Sequence, residues 1–65
     1  MSPENKKISE ILVGLALKAR SEAGRQETFA GIQPSSLVRQ IYGERASAYR
    51  DVAKWLDEEI AKLPL

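Results

Sequence analysis

The residues that could carry chemistry are few, and their types exclude more than they suggest. The chain has no histidine and no cysteine. That removes the usual general base near neutral pH, the thiol nucleophile, most ligands for transition metals and any disulfide staple. The carboxylates are Glu4, Glu10, Glu22, Glu27, Glu44, Asp51, Asp57, Glu58 and Glu59, and only Asp57-Glu58-Glu59 form a cluster. Consecutive residues on a helix fan out by about 100°, so these three cannot converge on one ion or substrate. Glu58 stands four residues before Lys62, the spacing of a helical ion pair. There is no G-x-x-x-x-G-K phosphate loop, and the glycines are too dispersed for a dinucleotide fingerprint. The expectation is a protein that is not an enzyme and holds no cofactor and no metal.

Arginine and the aromatic residues offer binding chemistry instead. Arg39, Arg50 and Lys54 fall within about 60° of one another on the polar side of a C-terminal helix, and Arg20 and Arg25 lie further upstream. Glu44, Asp51, Asp57 and Glu58 interleave with them, and the net charge is only +1. A mixed-charge surface of this kind suits the rim of a protein interface better than a phosphate backbone. Tyr42 and Tyr49 sit on an apolar stripe, whereas Trp55 lies off it, placed for an interface. Arg45 is the one charge within that stripe. It can snorkel, or pair with an acid of another chain.

The elements that position these residues are helical. Ser2 suits an N-cap, Pro3 the first helical position and Glu4 the first turn. Ile8, Ile11, Leu12, Leu15, Ala16, Ala19 and Ala23 then recur at helical spacing, so the pattern predicts helix A over about 3–23, with Gly24 just past its end. Residues 24–34 read as a connector punctuated by Gly24, Gly31 and Pro34. From Val38 the stripe resumes through Ile41, Tyr42, Ala46, Tyr49, Val52, Ala53, Leu56, Ile60 and Leu63. It predicts one long helix over about 35–62, with a break at Gly43 into 35–41 and 44–62 as the competing reading. No strand shows period-two alternation, and the richest apolar run, Ile11–Leu17, is far shorter than the ~20 residues of a membrane span. No signal peptide is expected, because Glu4 and Glu10 flank Lys6 and Lys7 and no cleavage site follows.

A chain of 65 residues forms a single small domain, 1–65, and one so short is marginal when alone. The expected fold is all-α: a helical hairpin that dimerises into a four-helix bundle, with a monomeric three-helix bundle as the alternative. Two features point to a homodimer. The long helix overhangs the shorter helix A. Apolar residues also lie off the main stripes, at Val13 and Leu17 on the first helix and at Leu37, Ala48 and Trp55 on the second. The expected function is that of a protein-interaction module docking on another protein as an adaptor, inhibitor or accessory regulator, in the style of mobile genetic elements. Val13, Leu17, Leu37, Tyr49 and Trp55 would be its apolar anchors, with Arg39 and Arg50 at the rim. The absence of cysteine fits a cytoplasmic location, and no membrane partner is expected.

One stretch resembles the lambda-repressor-like helix-turn-helix family. That family carries its recognition helix on a segment of the type G-[VI]-x-x-S-x-[IL]-x-x-x-x-x-G-x-R. Here Gly31-Ile32-Gln33-Pro34-Ser35-Ser36-Leu37-Val38-Arg39-Gln40-Ile41-Tyr42-Gly43-Glu44-Arg45 has the same spacing, and Gln26-Glu27-Thr28-Phe29-Ala30 is similar to the start of the preceding helix. Ala30 abuts Gly31, a deletion relative to the family. The resemblance implies a sequence-specific DNA-binding transcriptional regulator, with Gln33, Ser35, Ser36 and Arg39 facing DNA.

Overall fold

A computed structural model describes residues 2–64. Among the described residues there are two helices and no strand: α1, Pro3–Ile32, and α2, Ser36–Lys62. They pack side by side as an antiparallel hairpin. Among the described residues no helix is long and apolar enough to cross a membrane.

The start of α1 follows the sequence signals. Ser2 is the N-cap, the Asn5 N–H donates to Ser2 Oγ at 3.2 Å, and Pro3 opens the helix. The end does not: α1 runs nine residues beyond the expected boundary, straight through Gly24 and Gly31. Neither glycine adopts a positive φ, so neither acts as a helix stop. The reason lies in the contact face. Ala16, Ala19 and Ala23 are buried against α2, and Gln26, Ala30 and Gln33 continue the same row, half-buried, at alternating spacings of three and four residues. The helix continues because its buried seam does. Tertiary packing outweighs the roughly 1 kcal/mol that a glycine costs. The chain turns only at Gln33-Pro34-Ser35, where Pro34 forbids a further helical turn. Ser35 then caps α2, the Val38 N–H donating to its Oγ at 3.4 Å.

The second helix is unbroken at Gly43, as the unbroken stripe leads one to expect. The two-helix count replaces the three-helix alternative. It also removes the argument from overhang, since α1 with 30 residues is slightly longer than α2 with 27. A Cβ built on Gly24 or Gly43 meets nothing within 4 Å. Gly24→Ala and Gly43→Ala should therefore each stabilise the hairpin by about 1 kcal/mol. Thermal melts followed by circular dichroism should show this as a rise in Tm of about 4–8 °C each. A fall at Gly24 would mean that α1 ends there after all.

The seam joining the helices is lined by small residues. Among the described residues the buried side chains are Ala16, Ala19 and Ala23 from α1 and Ala46 and Ala53 from α2. On α2 the half-buried residues Val38, Tyr42, Leu56 and Ile60 extend the row, with Leu63 at the C-cap, at steps of three, four or seven residues. This is the spacing of a coiled-coil seam, and alanine at its centre lets two backbones approach closely. The larger apolar residues at Ile8, Ile11 and Leu15, expected inside the seam, lie beside it and remain exposed. The molecule is a rod of 51 × 14 × 10 Å with a radius of gyration of 15.2 Å. A compact chain of this length would have a radius of about 11 Å.

Candidate functional site: a hairpin with one apolar and one ionic flank

A two-helix rod has two long flanks beside its seam, and here they differ in chemistry. One flank is ionic. Arg20 of α1 pairs with Asp57 of α2, and Glu27 of α1 pairs with Arg50 of α2. Arg20, Arg50, Lys54 and Asp57 line one shallow depression over Ala53. These pairs are half-exposed, so each contributes between nothing and about 1 kcal/mol. They fix the alignment of the helices more than they stabilise it.

The other flank is apolar. Leu15 and Ala19 of α1, with Tyr49, Val52 and Leu56 of α2, line a groove edged by Lys18 and Glu22. A neighbouring depression continues along it, lined by Gln26, Arg45, Ala48, Tyr49 and Val52. On the helical wheel Ile8, Ile11 and Phe29 fall on the same side of α1 as Leu15, within about 120° of the seam. Towards the turn, the Phe29 and Tyr42 rings meet at 5.9 Å, and the Arg45 guanidinium lies over the Tyr42 ring at 5.4 Å. Arg45 therefore keeps its charge at the surface by lying on an aromatic face of its own helix, a cation–π contact.

No family model, no curated protein and no solved structure matches this chain.

The site therefore rests on geometry, and the geometry regroups the residues singled out by sequence. Tyr49 does line the apolar groove. Leu37 and Trp55, 65% and 63% exposed, lie on the back of α2, about 150° from the seam. Leu37 and Trp55 extend the apolar flank outward around that helix, with Ile41 and Ala48 between them. Val13 and Leu17 turn the opposite way on α1, about 90° and 130° from the seam towards the ionic side, and form a separate small patch. Arg50 is held by Glu27 on the ionic flank, and Arg39 shares that side of α2. The seven candidate interface residues thus occupy three surfaces. The residues that complete the groove, Leu15, Val52 and Leu56, were hidden in the stripe assigned to the core. The 3–4 spacing of Ala16, Ala19 and Ala23 could have exposed them, because it marks the seam on one edge of the broader stripe.

Of the residues that the helix-turn-helix resemblance points to, Gln33 and Ser35 form the turn, Ser36 opens α2 and Arg39 follows one turn later. The Ser35 hydroxyl is engaged in capping. The acidic end of α2 is spread out: Asp57 joins Arg20, and it is Glu59, not Glu58, that pairs with Lys62, at 3.1 Å.

Proposed function

We propose that this chain is a non-enzymatic protein-interaction module that acts by docking its apolar flank onto helical protein surface and completing a four-helix bundle. The observation that carries the reading is the segregation of the flanks. Exposed hydrophobic side chains on one side, including Leu15, Tyr49, Val52 and Ile11, stand beside a seam whose buried residues, among those described, are alanines. The other side carries the two ion pairs between the helices, with Val13 and Leu17 as a separate small apolar patch. A run of exposed hydrophobic side chains along one side of a small protein marks an interaction site rather than scattered exposure. Four-helix bundles bury helix faces at this spacing in the same way.

The amount of surface supports the reading. A folded monomer of 7.2 kDa exposes about 4,100 Å². This hairpin exposes 4891 Å², an excess of about 800 Å² over that expectation. A stable protein interface covers about 800 Å² on each partner. The role is one of occlusion or bridging, as in an adaptor or small inhibitor. The lack of cysteine fits action in the reducing cytoplasm.

A photo-crosslinking side chain placed at residue 52 or at residue 54 in the expressing cell tests this. One position lies on the apolar flank and the other on the ionic flank. Position 52 should give a discrete crosslinked polypeptide, and position 54 little or none. Equal crosslinking from both, or none from 52, would contradict the proposal.

A further inference from the structure

From the register and charge of the apolar flank we infer that its partner is a second copy of this chain, packed flank to flank with the two turns at the same end of the dimer. The inference rests on the docking reading above and names the partner.

The rod as a whole exposes more surface than a compact monomer of its mass, by about the 800 Å² that each partner buries in a stable dimer. The wheel positions also match. The apolar arc of α1 spans roughly 140° and that of α2 roughly 180°, more than one seam can use, and neighbours on two sides would cover both. Two arrangements place one hairpin over another with every neighbouring pair of helices antiparallel. In the first, the two-fold axis runs along the rod, α1 of one copy lies over α2 of the other at the same height, and the turns coincide. In the second, the axis crosses the rod, each helix lies over its own counterpart, and the turns are at opposite ends.

Charge separates the two. Within one hairpin Arg20 is level with Asp57 and Glu27 with Arg50, so each step forward on α1 is matched by one step back on α2. Two residues before Arg20 is Lys18, and two beyond Asp57 is Glu59. Both are exposed, and each lies about 120° from its own seam on the apolar side, at the outer edge of the flank. In the first arrangement Lys18 of each copy faces Glu59 of the other, so the symmetry generates two favourable pairs framing the apolar groove. In the second, Lys18 lies close to the middle of α1 and meets Lys18 of the other copy. Like charges opposed across an interface select against an arrangement. The first arrangement repeats between copies the ion register already used within each one.

The chain has no cysteine, so Pro34→Cys offers a single labelling site in the turn. Spin labels there should report a separation below about 30 Å in the dimer, because packed helices lie about 10 Å apart. The opposite-end arrangement places them near the rod length of 51 Å, and that result overturns the inference. An independent check leaves the turn untouched. Lys18→Glu and Glu59→Lys should each weaken the dimer about tenfold at low salt, and mixing the two variants should restore it as a heterodimer. No effect of Glu59→Lys overturns the inference. A chain that sediments as a monomer also overturns it; if residue 52 still crosslinks a different polypeptide in that case, the docking reading survives with another partner.

Discussion

Replacing Ala23 by leucine is expected to destabilise the hairpin by about 1–3 kcal/mol, lowering Tm by about 4–24 °C. Ala23 is fully buried at the alanine seam. Around position 23 the buried side chains are alanines on both helices, Ala19 and Ala23 on one and Ala53 on the other, which leaves little room for a longer one. Three extra carbons at position 23 must displace Ala53, the alanine level with it in the register set by Arg20–Asp57 and Glu27–Arg50, or drive the backbones apart. Either outcome loses contacts along the whole seam, since a rigid helix moves as a unit. The contrast is Ala61→Leu, an exposed site on α2, where leucine and alanine differ little in helix propensity and Tm should stay within a few degrees. Thermal or urea unfolding followed by circular dichroism at a fixed protein concentration distinguishes the two. Equal tolerance of leucine at 23 and 61 would mean that the helices are not joined by this seam.

The second large effect lies on the apolar flank. Val52→Glu places a carboxylate in the middle of the groove formed with Leu15, Tyr49 and Leu56. In the unpaired hairpin it remains wet and costs little. On docking it must be desolvated, and in a symmetric dimer this happens twice. The dissociation constant should rise by at least about 100-fold, corresponding to roughly 3 kcal/mol. For the unmodified chain Tm should increase with protein concentration, as it does whenever association stabilises the folded state. For Val52→Glu that dependence should vanish. Lys54→Glu, two residues away on the ionic flank, should retain it. Loss of association in both variants would show that net charge, rather than the apolar flank, controls assembly.

Much of this fold is legible in the residues, and the parts that are not share one cause. The caps were readable because Ser2-Pro3-Glu4 is a local signal. So was the continuity of α2, whose apolar phase passes through Gly43 undisturbed. The end of α1 was not. Gly24 and Gly31 resemble helix stops locally, and only the facing row of Ala46 and Ala53 makes it favourable to extend the helix past them. The same long-range fact hid the site. A stripe of Ile8, Ile11, Leu12, Leu15, Ala16 and Ala19 reads as one buried face. Yet a two-helix rod can bury only a narrow strip of each helix, and the close approach favours the alanine edge. Ile8, Ile11 and Leu15 are therefore left on the flank, while Leu12 is half-buried in line with the alanines. Hydrophobicity alone ranks Leu15 above Ala19 as a core residue, and the geometry of two touching cylinders reverses that order.

The central claim is that another protein chain completes the apolar flank, and that this chain is a copy of the first. Sedimentation equilibrium of the unmodified protein across roughly 1–100 µM, a range spanning typical weak dimers, tests it most directly. The account predicts a mass that rises to twice the 7.2 kDa of one chain and levels off there, as expected of a closed two-fold assembly. A constant single-chain mass over the whole range, with helicity fully retained, would contradict it.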